Sequence, residues 1–227
     1  MFQFIEEWER VEKEIILLAT SNKHNNLCIA GIDTSTGEWI RIISDDSTIS
    51  YAVKFDDTIC EDGSIPKILD IVKIQCTNHQ PCYYQAENYL NDSGFFWEKI
   101  GHASIKDVLK IHPLEDSNYI FYNNDNKVSN NFMLSLSSKV VKHSLMLIAP
   151  TNIIIHVQEW EKKRVKMSFN YNGIKYSYLA VKDLDYEKRY MALNVNNYPL
   201  KNGTLLVSSL GECYNNNHSK LIATIIE

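Results

Sequence analysis

Short runs of β-prone residues, separated by turn-forming clusters, recur along almost the whole chain of 227 residues. Three consecutive runs, IILLAT, LCIAGID and EWIRII, are joined by SNKHNN and TSTG, and this spacing predicts a three-stranded meander. ILDIVKIQC predicts a further buried strand, and SIKDVLKI has the apolar spacing of a helix lying against a sheet. The fold is therefore expected to be mainly β, with a few short helices.

The second half of the chain repeats this pattern. Asn172-Gly173 lies between two alternating runs and predicts a tight hairpin, because both turn positions tolerate positive φ. DLDYEKRYMAL predicts the one helix of this half. Five or six short strands with a single helix are typical of a small barrel or a sandwich, and the pattern alone does not choose between them. The strand-like runs are SLMLI, NIIIHVQEW, KRVKMSFNY, IKYSYLAV, TLLVSSL and KLIATII.

A polar segment over residues 112–131, rich in Asn, Asp and Tyr, separates the two sets of strands and is interpreted as a linker. At the start of the chain, Phe2, Ile5, Trp8 and Val11 are spaced three apart among glutamates, which predicts a short amphipathic helix. The predicted organisation is an N-terminal helix over 1–13, a first lobe over 14–111 with an acidic excursion over 44–66, the linker over 112–131, and a second lobe over 132–227.

Charge is distributed unevenly between the two halves. Residues 1–131 carry 11 basic and 21 acidic side chains, a balance of −10, whereas residues 132–227 carry 12 and 7, a balance of +5. The net charge of −5 argues against tight, unspecific binding of the whole chain to a polyanion. A bound polyanion is therefore expected on the second half. The alternative is that two surfaces of opposite sign attract each other across the junction between the lobes.

The composition indicates a cytoplasmic protein with no membrane association. No apolar run reaches the roughly 18 residues that span a bilayer, and the first residues are acidic, unlike the basic start of a signal peptide. The five cysteines are odd in number and lack the close regular spacing of a disulfide scaffold. Reduced thiols are therefore expected.

Cys76, His79 and Cys82 form a C-x2-H-x2-C cluster that could supply three metal ligands. A closed structural zinc site needs four ligands, and it favours paired C-x2-C or H-x3-H elements. The preferred interpretation is the end of a strand running into a turn at Pro81. We expect no metal and no other cofactor.

Four segments resemble the bacterial dual OB-containing domain family in order and spacing. They contain its Trp-x-Arg strand, its short Glu-Asn signature, its Phe-x-Tyr-x-Gly hairpin and its closing Lys-Leu-x-Ala strand. The resemblance covers almost the whole chain from Glu14. It implies two tandem barrels of the oligonucleotide/oligosaccharide-binding (OB) fold and, by analogy with other OB folds, nucleic-acid binding. The family often has Tyr where Ser219 precedes Lys220, so the resemblance does not support a stacking role at this position. The segments are ILLATSNKHNNLCIAGIDTSTGEWIRIIS, ILDIVKIQC with QAEN, RVKMSFNYNGIKYSYLAVKD and LLVSSLGECYNNNHSKLIATIIE.

Binding of single-stranded DNA or RNA requires basic groups along a groove and aromatic faces for the bases. The alternation of β-strands places Trp39 and Arg41 on one face of their strand, opposite Ile40 and Ile42. For each candidate there is a structural alternative, in which Trp39 packs under the N-terminal helix and Arg41 pairs with an acidic neighbour. The candidates are Lys23, Trp39 and Arg41 in the first lobe, and Arg164, Lys166, Tyr171, Tyr176 and Lys220 in the second.

Two other binding functions remain open from the sequence, and an enzyme is a third possibility. Lys23, Arg41 and Lys220 could converge on a small nucleotide or its phosphates in the cleft between the lobes, which is the main alternative. The acidic first half could instead recognise another protein, so that the chain acts as an adaptor.

An enzyme would need Ser208 or Ser209 to meet Glu212 and a lysine of lowered pKa at position 220. The structural alternative is a turn at Gly211 beside a cross-strand pair of Glu212 with Lys220. We expect no catalytic residues.

Overall fold

The computed structural model describes residues 10–23, 25–136 and 143–227. They form a mainly β structure, as predicted. The strands are β1 (Val11–Lys23), β2 (Asn26–Asp33), β3 (Trp39–Ile43), β4 (Asp70–His79), β5 (Asn88–Asn91), β6 (Glu98–His102), β7 (Lys127–Ser129), β8 (Leu145–Ile148), β9 (Thr151–Glu159), β10 (Lys163–Tyr171), β11 (Ile174–Val181), β12 (Asn196–Pro199), β13 (Leu205–Tyr214) and β14 (Asn217–Ile226). The helices are α1 (Ile105–Ile111), α2 (Asn130–Ser135) and α3 (Leu184–Met191).

The first sheet closes into a five-stranded barrel. Its strands follow the order β1-β2-β3-β5-β4 and return to β1, with β3 and β5 parallel and the other pairs antiparallel. One long strand makes the closure possible, because residues 11–16 of β1 pair with β4 while residues 15–23 pair with β2. The predicted meander β1-β2-β3 is confirmed, and β6 extends the sheet beyond β4.

The second sheet has the same strand order. It runs β12-β9-β10-β11-β14-β13-β8, and β11 and β14 are its parallel pair. β8, at one end of this path, continues along the chain into β9 after Ala149-Pro150. The chain itself therefore connects β8 back to β9, near the other end of the path. Proline cannot donate to a strand ladder, which explains why this strand is split. The hairpin predicted at Asn172-Gly173 is confirmed, with φ of 47° and 80° at these two residues.

The outward face of β2 and β3 is covered by the second barrel. A buried apolar cluster joins the two barrels across this junction, and α1, predicted from its periodicity, contributes to it. Attraction between oppositely charged lobes does not explain the junction. Among described residues the ion pair that crosses it joins basic Lys23 of the acidic half to acidic Glu212 of the basic half. The cluster includes Ala30, Ile32, Trp39, Val108, Leu145, Leu147, Val207 and Ala223.

The segment interpreted as a linker packs against both barrels. Glu115 accepts a hydrogen bond from Trp39 Nε1 of the first barrel at 3.1 Å and one from the backbone N–H of Leu147 of the second at 2.5 Å. Ile120 is fully buried in the core of the second barrel, and residues 127–129 form β7 against β14. Residues 112–131 are therefore an integral part of the structure.

Two other expectations concern the first residues of the chain and the acidic excursion. Most of the predicted N-terminal helix lies outside the described residues, and its last part, 11–13, belongs instead to β1 because it pairs with residues 74–76 of β4. The excursion over 44–66 lies between β3 and β4 and contains two single 3-10 turns, Ser47–Ile49 and Phe55–Thr58. In the described part of the chain, no helix is long and apolar enough to cross a bilayer.

Candidate nucleic-acid interface

The aromatic residues predicted to stack bases lie in cores. Trp39 is 4% exposed and packs between the barrels, and Tyr171 and Tyr176 lie in the core of the second barrel. The Tyr171 hydroxyl donates to the Glu115 carbonyl at 2.7 Å, and the Tyr176 hydroxyl donates to the Asn123 carbonyl at 3.0 Å. No base can stack on these three rings in this arrangement. Trp39 has the packing role that was the alternative, although its neighbours are α1 and the second barrel.

Arg41 is 6% exposed and belongs to a polar group buried at the junction. Its Nη2 donates to Ser144 Oγ at 2.8 Å and to Ser209 Oγ at 3.3 Å. Its Nε lies 3.6 Å from Glu87 Oε1, which also accepts from the backbone N–H of Ser144 at 3.1 Å. Arg41 is therefore paired with an acidic residue, Glu87, as the structural alternative predicted. Its guanidinium is not free for a phosphate.

Lys23 lies at the mouth of the cleft. Its Nζ is 2.5 Å from Glu212 Oε1 and donates to the Ser50 carbonyl at 2.5 Å. Its charge is therefore balanced across the junction, and it does not converge with Lys220 as the nucleotide alternative required.

Lys220 is 1% exposed, and its Nζ donates to the Asn123 carbonyl at 2.6 Å and to Asn123 Oδ1 at 2.9 Å. Burial lowers its pKa to about 8, although the charge of Asp125 opposes this effect. No hydrogen bond within the described chain joins Lys220 to Ser208 or Ser209. The suggested catalytic group is thus not assembled.

The alternative interpretation of the β13–β14 hairpin, a turn at Gly211 beside a Glu212–Lys220 pair, was also wrong. Glu212 pairs with Lys23 and not with Lys220. The hairpin turn is at Asn215-Asn216, both with positive φ, and not at Gly211. At Gly211 a Cβ would approach Leu221 Cδ1 to 3.2 Å, so close packing of β13 on β14 explains the glycine.

The remaining predicted residues share the outward face of the second barrel. Arg164 and Lys166 alternate with the core residues of β10, and Lys182, which directly follows β11, lies close enough for its charge to act on Lys166. None of the three forms an ion pair with any described residue. Burial lowers the pKa of Lys166, and the like charges of Arg164 and Lys182 lower it further. We call the outward side of β9, β10 and β11 the basic face.

An exposed tyrosine stands on the basic face. Tyr178 is 52% exposed with φ of 60°, in a bulge where Ser177 and Tyr178 oppose Ser168 of β10. Its backbone N–H donates to Ser168 Oγ at 3.0 Å, and its ring centre lies 4.6 Å from that of His156. His156 Nε2 is in turn 2.8 Å from Ser168 Oγ. The ring is held in place while its outer surface faces solvent.

Two more exposed aromatic residues occupy the hairpin loops of this barrel. Trp160, 96% exposed, lies between β9 and β10, and Tyr214, 78% exposed, lies at the β13–β14 turn. By strand order these are the loops between OB strands 1 and 2 and between strands 4 and 5. Oligonucleotide-binding OB folds use these loops together with the face of strands 2 and 3.

Shallow grooves run from the basic face toward the β13–β14 hairpin. One of about 230 Å³ is lined by His156, Ser168 and Tyr178. An open groove of about 770 Å³ is lined by Lys127, Phe132 and Asn217. The two share Lys175 and Ser177, so they adjoin along this path. This path carries basic, aromatic and amide side chains.

Sequence reasoning missed Tyr178, Trp160, His156 and Lys182. Trp160 had a usable signal, because it lies between two glutamates in a hairpin loop, where an exposed position is expected. For Tyr178, regular alternation does not distinguish it from Tyr176 two residues earlier, and the bulge at residues 177–178 that turns only Tyr178 outward leaves no signal in the sequence.

The C-x2-H-x2-C cluster is dispersed by the fold. Cys76 is buried, and burial raises the pKa of its thiol to about 12, whereas Cys82 is exposed beyond the end of β4. β4 ends at His79 before Pro81, as predicted. The described residues contain no group of three or more His, Cys, Asp or Glu that could hold a metal ion.

The fold is thus that of two OB barrels in tandem. The model of the dual OB-containing domain family matches residues 13–225, nearly the whole chain, and the protein belongs to this family. No curated protein and no solved structure matches the chain significantly.

Proposed function

We propose that this protein binds single-stranded nucleic acid on the basic face of its second barrel. The observation that carries the proposal is the row Arg164, Lys166 and Lys182, unpaired with any described acidic residue, beside the exposed ring of Tyr178. Basic groups follow a phosphate backbone and an aromatic face stacks bases, and sequence-independent binders of single strands combine the two.

Single strands are favoured over duplexes by the shape of the face. The aromatic surfaces of Tyr178, Trp160 and Tyr214 are exposed, and a base must be unpaired to stack on them. In the described part of the first barrel the β2–β3 face offers no equivalent surface, because Trp39 and Arg41 of its β3 are buried against the second barrel.

The test is fluorescence anisotropy with labelled single-stranded DNA and RNA, and a duplex control, at several salt concentrations. Three neutralised phosphates give an expected slope of about −2 in log K against log salt. Tyr178→Ala is expected to weaken binding by about 1–3 kcal/mol, the value of one stacked base. Arg164→Gln should weaken binding and reduce the slope.

Matched controls lie away from the basic face. Phe96 is exposed on the first barrel, and Arg189 is exposed on α3. Phe96→Ala and Arg189→Gln are expected to leave the affinity unchanged. Absence of binding at low salt, binding without a salt slope, or equal losses in the control variants would contradict the proposal.

A further inference from the structure

A cavity of about 300 Å³ lies where the first barrel meets Glu212 of the second, away from the basic face. We call it the junction cavity; its lining includes Lys23, Cys28, Arg41, Tyr84 and Asn88. A second cavity of about 320 Å³ adjoins it and shares Lys23, Cys28, Arg41 and Glu212. The volume is at the lower end of the roughly 300–1,000 Å³ typical of small-molecule sites.

Two buried polar atoms belonging to residues that line the junction cavity have no hydrogen-bond partner among described residues. They are the donor Nε of Arg41 and the acceptor Oδ1 of Asn88. Both side chains are more than nine-tenths buried. Arg41 and Asn88 are also register partners on the parallel strands β3 and β5, so their side chains are neighbours. Unsatisfied buried polar groups are rare in folded proteins, and a missing ligand is one explanation for them. Glu87 Oε2 is a third such atom but belongs to a residue that does not line the cavity, and Arg41 Nε lies 3.6 Å from the other oxygen of that carboxylate.

The charges around the cavity argue for an uncharged ligand. Arg41 is balanced by Glu87, with Nε and Oε1 3.6 Å apart, and Lys23 is balanced by Glu212. Among the described residues, each cation that lines the junction cavity itself has an acidic partner, and the unpaired Lys182 lines only the adjoining cavity. This differs from the nucleotide or phosphate ligand considered from the sequence.

The walls favour a flat aromatic ligand. Three tyrosines, Tyr51, Tyr83 and Tyr84, line the cavity together with the apolar residues Leu27 and Ala52. Ser50 and Tyr51 both have positive φ, at 56° and 60°. Such strained non-glycine residues cluster at ligand sites, where the surrounding structure holds them.

We infer that the junction cavity binds an uncharged nucleobase or nucleoside, which offers an acceptor to Arg41 Nε and a donor to Asn88 Oδ1 while its plane lies against tyrosine rings. None of the residues of the basic face lines the junction cavity itself, although Lys182 lines the adjoining cavity. Either proposal can therefore fail without the other.

The experiment screens adenosine, guanosine, cytidine and uridine, each beside its free base and its 5′-monophosphate. Thermal unfolding reports binding, and alkylation of the half-buried Cys28 thiol, followed by peptide mass spectrometry, reports where it occurs. At least one base or nucleoside is expected to raise the unfolding temperature and slow alkylation of Cys28. The exposed Cys213, which does not line the cavity, is the internal control.

Two variants locate the ligand. Asn88→Leu removes the acceptor but leaves Arg41 paired with Glu87, and it is expected to weaken nucleoside binding at least tenfold while single-strand binding is unchanged. Cys28→Leu fills the cavity without removing a charged or hydrogen-bonding partner of Arg41, and it should also abolish the temperature shift. Lys201→Gln, on an exposed loop, is the matched control and should bind as the wild type does.

Three results would overturn the inference. The first is that no base or nucleoside at millimolar concentration shifts the unfolding temperature or protects Cys28. The second is that a monophosphate binds ten or more times as tightly as its nucleoside, since the phosphate would then be what is recognised. The third is wild-type affinity in both Asn88→Leu and Cys28→Leu.

Discussion

Trp39 and Glu115 are 76 residues apart in the chain, yet the indole N–H donates to the carboxylate at 3.1 Å. The other oxygen of the same carboxylate accepts from the backbone N–H of Leu147 in the second barrel. One acidic side chain of the connecting segment therefore holds both barrels.

Trp39→Phe keeps a buried ring but removes this hydrogen bond. We expect it to lower the free energy of unfolding in urea by about 1–3 kcal/mol, because the Glu115 carboxylate loses a hydrogen-bond donor at the junction between the barrels. Trp160→Phe is the matched control and should change stability by less than about 0.5 kcal/mol, since Trp160 touches solvent on almost all sides. Loss of single-strand affinity in Trp39→Phe at unchanged stability would show that Trp39 itself contacts the strand.

The junction should also respond to pH through His112. Burial alone would lower the pKa of His112, but its hydrogen bond with Glu115 and the charge of Glu115 raise it above the usual value. A raised histidine pKa adds stability that is fully present below the unfolded pKa and is lost as pH rises through the folded pKa. The stability difference between wild type and His112→Gln is therefore expected to be larger at about pH 5.5 than at about pH 8.5. A difference that grows toward alkaline pH in urea unfolding would refute this.

Lys220 should give a dependence of the opposite sign. Its folded pKa is about 8, below the unfolded value, so between the two the unfolded chain binds the proton and the folded chain does not. The free energy of unfolding therefore increases as pH rises between these two pKa values. Relative to Lys220→Met, the wild type is expected to gain up to about 3 kcal/mol between about pH 7 and about pH 10.5. The comparison with Lys220→Met cancels the titration of other groups. A flat difference would mean that the buried amine does not titrate in this range.

Arg41 and Glu87 should be strongly coupled. Arg41→Met leaves the Glu87 carboxylate buried without its cation, and a loss of about 3–5 kcal/mol is expected. The double variant Arg41→Met with Glu87→Leu removes both charges and should recover most of this loss. A double-mutant cycle in urea measures the coupling. Additive single losses would show that the pair contributes nothing through its charges.

Most strands could be predicted because alternation is a local property of the sequence. Arg164 and Lys166, for example, alternate with the buried Val165 and Met167 of β10. The short strands β6, β7 and β12 carry no such pattern. β7 spans only Lys127–Ser129 and forms by pairing with β14, so a distant partner determines it.

The face of a barrel strand can be predicted, but not what covers it. Trp39 and Arg41 do point away from the core that holds Ile40 and Ile42, yet the second barrel buries them. The two stacking tyrosines of the second barrel failed for other reasons. Tyr171 lies two residues after Phe169 on the inward side of β10. A bulge at residues 177–178 shifts the alternation by one, so Tyr176 points inward and Tyr178 outward.

The burial of the β2–β3 side of the first barrel has a consequence for stoichiometry. Although the chain has two OB barrels, its described residues leave one such face accessible, so the proposed interface provides one binding site for a strand per molecule. Its footprint should be that of one OB fold, about 4–16 nucleotides, and not the sum of two. A longer strand would then be covered by adding further copies of the protein.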